Sequence, residues 1–465
     1  MMAAKDDFAP NNTPYPPLIA DRDSTSFTYE SLHDRVPHIL TDVINDYYGA
    51  IQSYQGLNAE AVVDEGKALT SALSKLKHEM VTDKALTPLE DDGTGDIDMW
   101  NHWLKTYFPS ATWYTTPFLT WETYMYRRIA TIFRRSVHWK DYDFFVNKKQ
   151  STFTASMIAV AKLCSRVTAL TSESKANTAN KIKLHLAFVE MLQASLWGNQ
   201  TDLSMFPDLS NEALEEMQAR ISSGENNSKI VSNDTDKIWS LVSQIKNGRF
   251  DIVLDNSGFE LLQDVLLAYW LVELGYANKV VFHPKRIPWY VSDVTNEDFH
   301  WLVSVAQNPA LANPKNPLGQ EEETVLKNLG NRWAEFLANG TWELKDELFW
   351  TCPYGFRYLP TIGKDVWENE LTKADVVIFK GDLNYRKLDY DLHWPVSTPF
   401  VEALGPIASD PKAPAIVALR TSKCDTIVGV TAKRAEELFE QRKDWMYSGQ
   451  YGVIQLSPGR WLEKL

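Results

Sequence analysis

The sequence predicts an α/β protein in which a doubly wound, mostly parallel sheet follows an N-terminal helical region. From residue 29 to about residue 197, apolar residues recur at spacings of three and four, the period of amphipathic helices. From about residue 236 onwards, short apolar runs rich in β-branched residues alternate with helical segments, a pattern typical of parallel α/β sheets. We therefore divide the chain into an arm (1–28), a helical domain (29–235) and an α/β domain (236–465).

The first half of the chain contains the arm, four helical stretches and a linker. The arm is rich in Pro, Asn and Asp, and we expect it to be partly ordered. Residues 220–235 are polar and turn-forming and lack periodicity, which indicates a linker. The helical stretches are SLHDRVPHILTDVINDYY, ALTSALSKLKHEM, FLTWETYMYRRIATIFRRSV and KIKLHLAFVEMLQASLW.

The second half alternates between strands and helices. Short, nearly uninterrupted apolar runs are typical of strands that are buried on both faces of a sheet. The predicted strands are FDIVLD, KVVFHP, PWYVSD, DVVIFK and AIVALR, and GVIQL is a further strand whose pairing cannot be read from sequence. The predicted helices are DKIWSLVSQIK, FELLQDVLLAYWLVELG, helices between about 296 and 340, and AKRAEELFEQRKDWMY.

Composition excludes several classes of protein. The chain has 465 residues and a formal net charge of −14, which argues against a nucleic-acid partner because a phosphate backbone would be repelled. The N-terminal stretch has no apolar signal core and no run approaches a membrane span, so we expect no membrane partner and a cytoplasmic protein, with the nucleus left open. The three cysteines, Cys164, Cys352 and Cys424, show no spacing for zinc and indicate a reducing compartment.

Four predicted strands end in polar clusters. These clusters are Asp255-Asn256-Ser257-Gly258, Asp293, Lys380-Gly381-Asp382-Leu383-Asn384 and Arg420-Thr421-Ser422-Lys423. The carboxyl ends of parallel strands meet at one edge of a sheet, where open α/β folds bind ligands. Because the clusters combine carboxylates, amides and cations, they predict a site for a hard metal ion and a phosphate.

The first cluster offers two interpretations. Asp255 and the carbonyl of Asn256 are hard oxygen donors suited to Mg²⁺, Mn²⁺ or Co²⁺, and Gly258 permits close backbone approach at the start of a helix. Alternatively, Asp255 only caps the helix that follows. Asp293 is a candidate third oxygen ligand, or else part of a surface turn.

The other clusters suit phosphate and hydroxyl groups. Lys380 can neutralise phosphate charge, while Asp382 and Asn384 can form hydrogen bonds with hydroxyls. We assign Lys423 to the ligand and Arg420 to a structural ion pair.

Other chemistries fit the residues less well. A haloacid-dehalogenase-type phosphatase needs a second Asp two positions after the first, where this chain has Ser257. A dinucleotide site needs G-x-G-x-x-G after the first strand, which DNSGFE does not supply. His283, before Pro284 at a strand end, is interpreted as structural.

Taken together, the clusters, Glu260 and the helical element WETYMYRRI at 121–129 resemble the metal-dependent damage-control phosphatases, formerly domain of unknown function 89. The branch they resemble carries the RTxK signature and is also called acidic residue methyltransferase-like. The resemblance implies a three-layer α/β/α fold, and a divalent metal (Mn, Co, Ni or Mg) held by the catalytic residues Asp255, Asn256 and Asp293. The substrate contacts that it implies are Asp255, Asn256, Glu260, Asp293, Lys380, Gly381, Asp382, Leu383, Asn384 and Lys423.

The resemblance predicts a metal-dependent phosphatase for sugar phosphates such as fructose 1-phosphate and fructose 6-phosphate. Either Asp293 or Glu260 could act as the general base, and sequence does not choose between them. One alternative is an S-adenosylmethionine-dependent protein carboxyl methyltransferase, which the absence of a glycine-rich loop disfavours. Another is a non-catalytic sugar-phosphate sensor, which would not require a complete set of metal ligands. The oligomeric state is left open.

Overall fold

A seven-stranded sheet forms the centre of the protein. The computed structural model describes residues 13–19, 24–198, 228–312 and 318–464. The strands are β1 Ile230–Asn233, β2 Gly248–Val253, β3 Ala277–His283, β4 Trp342–Leu344, β5 Val376–Lys380, β6 Ala415–Thr421 and β7 Gly452–Ser457. Their order across the sheet is β1-β7-β6-β5-β2-β3-β4. Strands β2 to β6 are parallel, whereas β7 is antiparallel to β6 and parallel to β1, which confirms the mostly parallel sheet.

Helices precede the sheet and cover it. The α-helices are α1 Phe27–Glu30, α2 Val36–Gln52, α3 Glu60–Val81, α4 Ile97–Tyr107, α5 Phe118–Arg134, α6 Val146–Ala155, α7 Met157–Ala176, α8 Lys181–Leu196, α9 Thr235–Val242, α10 Phe259–Glu273, α11 Asn296–Gln307, α12 Gln320–Ala338, α13 Lys364–Asn369, α14 Gly381–Asp389, α15 Phe400–Leu404, α16 Pro406–Ser409 and α17 Ala432–Gln441. A π-helical turn at Ser31–Arg35 joins α1 to α2. Short 3-10 helices lie at Pro309–Ala312, Leu348–Thr351, Phe356–Tyr358, Leu371–Lys373 and Gly459–Lys464.

The central strands are buried on both faces, which confirms the three-layer arrangement. Every residue of β5 and β6 is buried. In β5, Val376 and Ile378 pack into the core shared with α7, α8 and α10 to α12. The alternate residues Val377 and Phe379 pack into a second core on the opposite face. Parallel strands that are covered on both faces have nearly continuous apolar sequences, and this pattern identified β5 and β6 in the sequence.

A third core belongs to helices α2 to α5, and four of its buried members come from the α/β region, namely Ile287, Trp289, Leu383 and Cys424. Trp289 and Leu383 are both buried in this core, next to the polar clusters at the strand ends. The helical region therefore packs directly against the edge of the sheet where the site was predicted. Helices α7 and α8 share their core with the sheet instead. The division near residue 235 stays a prediction about folding units.

The described part of the arm joins these two regions. The amide of Leu18 donates to the carbonyl of Asp391 at 3.2 Å, and the amide of Phe118 donates to the carbonyl of Leu18 at 2.8 Å. Leu18 itself is buried. Among the described residues no single helix is long and apolar enough to cross a bilayer, although the bent pair Val146–Ala155 and Met157–Ala176 meets the length and composition together.

Two local predictions were wrong. PWYVSD is not a strand: Tyr290 and Val291 have φ values of 41° and 69°, which extended backbone does not allow, and Asp293 makes only an isolated bridge with Asn256. The linker predicted at 220–235 contains β1 and the start of α9, while 220–227 lie outside the described residues. Strands β1 and β4 were not predicted, because runs of four and three residues carry little periodicity.

Candidate active site

The first polar cluster forms the turn between β2 and α10. Asp255 and Asn256 are both buried, and Gly258 has a φ of 73°, the left-handed conformation that favours glycine, directly before the helix starts at Phe259. The carbonyl of Asp255 accepts a hydrogen bond from the amide of Val294 at 2.8 Å. Asn256 also pairs with Asp293 as an isolated antiparallel bridge. The structure thus brings together the three predicted metal ligands, even though Asp293 arrives on a loop.

The side-chain amide of Asn256 links two carboxylates. Its Nδ2 donates to Asp255 Oδ2 at 2.6 Å and to Glu260 Oε2 at 2.8 Å. Its Oδ1 accepts a hydrogen bond from the hydroxyl of Ser292. With both ends engaged, Asn256 has a fixed orientation, and its oxygen faces the loop that carries Asp293.

Burial and mutual repulsion make this group of carboxylates electrostatically unfavourable. Burial, followed by the charges of Glu260 and Asp293, raises the pKa of Asp255 well above its ordinary value. Burial also raises the pKa of Asp293 to about 7, although Lys285 opposes this shift. Lys285 Nζ donates to the carbonyl of Leu254 at 2.7 Å and lies 3.5 Å from Asp293 Oδ2. At that distance Lys285 forms an ion pair but not a good hydrogen bond, so Asp293 Oδ2 lacks a close donor.

The donor chemistry of these residues fits a divalent cation. Two carboxylates and an amide oxygen are hard ligands, and the buried Asp293 Oδ2 has no hydrogen-bond donor to satisfy it. In the described part of the chain, no three His, Cys, Asp or Glu side chains are arranged as a metal site. The predicted set of Asp255, Asn256 and Asp293 differs from such a group because it contains two carboxylates and one amide.

Lys380, at the end of β5, is already engaged by the protein. Its Nζ lies 3.0 Å from Asp264 Oδ1 and 3.4 Å from Glu260 Oε1, and it donates to the hydroxyl of Ser195 at 2.9 Å. Burial alone would lower the pKa of Lys380, but Asp264 and Glu260 outweigh burial and raise it. Burial raises the pKa of Asp264 to about 6. Lys380 therefore balances two buried carboxylates at the strand ends, and its predicted phosphate contact stays a prediction.

Gly381 allows helix α14 to approach Asp255. Its φ is 81°, and a Cβ atom added at this position would lie 1.8 Å from Asp255 Oδ2. An L-residue would therefore meet both an unfavourable backbone conformation and a clash with the carboxylate. Of the predicted substrate contacts, Gly381 is the one whose requirement for glycine follows directly from the geometry of the site.

Asp382 connects Arg420 to Lys423. Its Oδ1 accepts hydrogen bonds from Arg420 Nε at 2.8 Å and from the backbone amide of Lys423 at 2.9 Å. Arg420 is fully buried and also donates to the carbonyls of Thr426 and Cys424. The structural role expected for Arg420 is consistent with these contacts. Lys423 is exposed, and its charge opposes the rise in the pKa of Asp255 that burial causes.

Leu383 and Asn384 stabilise the start of α14 and the strand ends beside it. Leu383 is buried in the core of the N-terminal helices. Asn384 Nδ2 donates to the carbonyl of Lys380 at 2.7 Å and to that of Leu254 at 3.2 Å, and thus joins the ends of β5 and β2. These contacts hold the Asp255 turn in place, while the predicted contacts of Asp382 and Asn384 with substrate hydroxyls stay predictions.

Sequence reasoning missed four residues at this edge of the sheet. Asp264 lies one helical turn after Glu260, so the spacing of four along α10 was a usable signal. Lys285 follows the end of β3 by two residues and could have been included with the other strand ends. Ser195 on α8 and Ser292 on the Asp293 loop gave no sequence signal, because their roles depend on tertiary contacts.

Comparisons with known proteins relate this chain to one family. The model of the damage-control phosphatase ARMT1-like domain matches residues 31–438. The chain is 35% identical over 456 residues to damage-control phosphatase ARMT1 of Mus musculus, covering 95% of this chain and 98% of that protein. It is 36% identical over 456 residues to the protein of the same name from Xenopus tropicalis, covering 95% and 99%. A DUF89 family protein from Pyrococcus horikoshii superimposes with a TM-score of 0.36 at 15% identity, over 86% of this chain and 93% of that one.

Proposed function

We propose that this chain, which belongs to the damage-control phosphatase ARMT1-like family, is a metal-dependent phosphatase that hydrolyses small sugar phosphates. The substrates that we propose are fructose 1-phosphate and fructose 6-phosphate, and the metal is Mn²⁺, Co²⁺, Ni²⁺ or Mg²⁺. The observation that carries the proposal is the buried convergence of Asp255, Asn256 and Asp293 at the carboxyl edge of the sheet. That edge is where α/β folds bind their ligands.

Each residue has a distinct task in this proposal. A divalent ion bound by Asp255, Asn256 and Asp293 would act as a Lewis acid on the phosphate and lower the pKa of a bound water. Glu260 lies beside these ligands, hydrogen-bonded to Asn256, and we assign it to accept the proton from the attacking water. The exposed ammonium group of Lys423 would neutralise charge on the phosphate oxygens.

Lys380 acts through the carboxylates that it contacts. By pairing with Asp264 and Glu260, it keeps Glu260 in place next to Asn256. Uncatalysed hydrolysis of phosphate monoesters is so slow that an enzyme must supply an acceleration of up to ~10²¹-fold. No single contact supplies this, so positioning and charge neutralisation must act together.

The test is phosphate release from fructose 1-phosphate by metal-stripped protein, with and without added Mn²⁺ or Co²⁺. We expect release only with metal, and its loss in Asp255→Ala. The matched control is Asp251→Asn on β2, the strand that precedes Asp255, and it removes a buried carboxylate that is paired with Arg249 and His283. If folded wild-type protein releases no phosphate with any of the four metals, the proposal is wrong. Methyl transfer from S-adenosylmethionine by the same protein would favour the methyltransferase instead.

A further inference from the structure

We propose that Glu122, on α5 of the N-terminal helical region, is a positioning residue that fixes the loop carrying Asp293. We call residues 289–294 the site loop. The inference rests on the proposed function, because Asp293 is one of the proposed metal ligands. None of the residues predicted for the site lies on α5, so Glu122 adds a contribution from a different part of the chain.

The site loop has an unfavourable backbone conformation. Tyr290 and Val291 are consecutive non-glycine residues with φ values of 41° and 69°. For a β-branched residue such as Val291 this conformation is a genuine outlier. Such conformations persist only where surrounding contacts stabilise them strongly enough to offset their cost, and they are concentrated at functional sites. The site loop therefore requires contacts that hold it in place.

Glu122 and Tyr126, both on α5, supply these contacts. The hydroxyl of Tyr290 donates to Glu122 Oε2 at 3.0 Å. The ring of Tyr290 stacks on that of Tyr126, with centroids 4.5 Å apart and planes at 29°. Trp289 packs against the same tyrosine, with centroids 5.9 Å apart. One helix thus holds the loop through both a hydrogen bond and ring packing.

Glu122 is itself fixed by two guanidinium groups. Its side chain is buried, Arg35 lies 2.7 Å from Oε1, and Arg386 lies 2.7 Å from Oε2. Arg386 is on α14, the helix that begins at Gly381 beside Asp255. A carboxylate between two arginines has little freedom to reorient. Glu122 therefore joins the site loop and α14 through the same side chain.

The site loop transmits this placement to the metal ligands. The amide of Asp293 donates to the carbonyl of Trp289 at 3.1 Å, so its position depends on the turn. The carbonyl of Ser292 accepts from the amide of Ser257 at 2.6 Å, and the hydroxyl of Ser292 donates to Asn256 Oδ1. A change at Tyr290 would therefore alter the ligand oxygens of both Asp293 and Asn256.

The main test variant is Tyr290→Phe, which removes the hydroxyl and keeps the ring stacking. Glu122→Gln is the second variant, and it removes the charge between the arginines. The matched control is Tyr124→Phe. Tyr124 is also on α5, and its buried hydroxyl donates to the carbonyl of Thr87 at 2.7 Å, away from the site loop. Glu122→Gln also weakens the contacts with Arg35 and Arg386, and Tyr124→Phe also removes the hydrogen bond from Arg128.

Two measurements separate positioning from a merely structural role. In hydrogen–deuterium exchange, we expect the amides of the site loop to exchange roughly fivefold faster in Tyr290→Phe, the effect of losing one hydrogen bond. In calorimetric titration of the metal-stripped protein, we expect the Kd for Mn²⁺ to rise by roughly tenfold, the lower end of the effect of changing residues that orient metal ligands. Tyr124→Phe should change neither quantity, even where it lowers the melting temperature.

If the site loop of folded Tyr290→Phe exchanges as slowly as in the wild type, the proposal is overturned. The same holds if this variant has a lower melting temperature but an unchanged Kd for Mn²⁺. Wild-type protein that binds no Mn²⁺ and releases no phosphate would contradict the proposed function. The exchange measurement would still decide whether Glu122 fixes the site loop, because it requires neither metal nor activity. The two failures are therefore distinguishable.

Discussion

Replacing Gly381 by alanine is the sharpest test of how the site is built. The added Cβ would lie 1.8 Å from Asp255 Oδ2 and 2.0 Å from its Cγ, whereas ordinary contacts between such atoms lie at about 3.5 Å or more. Either Asp255 or the start of α14 must move by roughly the difference, more than an ångström. Because Asp255 is buried and hydrogen-bonded to Asn256, this movement would disturb the whole group of ligands.

The expected magnitude follows from these distances. Misplacement of a catalytic group by about 1 Å can reduce activity by roughly 10²-fold. A left-handed backbone conformation costs an alanine about 1–2 kcal/mol relative to glycine, which lowers stability independently of the clash. We therefore expect kcat/KM of Gly381→Ala for fructose 1-phosphate to fall by at least about 10²-fold, together with a modest loss of stability.

Gly275→Ala is the matched control for this experiment. Gly275 has a φ of 77°, close to that of Gly381, but an added Cβ would meet no atom within 4 Å. Both variants should lose stability in thermal denaturation because of the backbone conformation, and only Gly381→Ala should lose metal-dependent phosphate release. If the two variants retain equal activity, the close approach of α14 to Asp255 does not matter for catalysis and the reasoning fails.

Three further predictions concern buried polar groups. Lys380→Met leaves Asp264 and Glu260 without their cation and should lower the free energy of unfolding in chemical denaturation by about 3–5 kcal/mol. Adding Asp264→Leu should recover part of that loss. A Lys380→Met variant as stable as the wild type would contradict this prediction. Burial raises the pKa of Asp389 to about 7, so the folded protein holds a proton that the unfolded chain releases, and the wild type should lose stability as the pH rises from about 4 to about 7. The melting temperature of Asp389→Asn relative to wild type should therefore increase over that range, and a difference independent of pH would count against it. Asn384→Ala should cost about 1–3 kcal/mol, and Asn384→Asp more because a carboxylate would face the carbonyls of Lys380 and Leu254; equal denaturation midpoints would show that these contacts are unimportant.

The sheet could be predicted because its central strands are buried on both faces. Strands such as β5 and β6 leave an apolar run that ends at a polar cluster, and parallel pairing places those ends together. The convergence of Asp255 and Asn256 with Asp293 was therefore within reach of the sequence, even though the strand assigned before Asp293 was wrong. Asp293 lies at the sheet edge because its backbone pairs with Asn256. Either a strand or a loop can bring the chain to that position.

The partners of the charged residues could not be predicted. Lys380 reads equally well as a phosphate contact or as a buried counter-ion, and only its distance to Asp264 shows the pairing. Ser195 and Glu122 lie far along the chain from the residues that they contact, and no local period encodes such contacts. The same limit applies to Tyr290, because a tyrosine does not signal a positive φ in the sequence.

Within the proposed function, the balance of buried charge explains why this site would bind a divalent metal ion. Four carboxylates, those of Asp255, Glu260, Asp264 and Asp293, lie at the sheet edge with two buried ammonium groups, those of Lys285 and Lys380. Burial raises the pKa values of Asp255, Asp264 and Asp293, and the charge of Glu260 adds to each rise, so this excess of negative charge is unfavourable in a buried site. A divalent cation would offset this excess of negative charge, so metal binding and stability of the site should be coupled. The same group of buried carboxylates would thus give the site its affinity for a divalent cation.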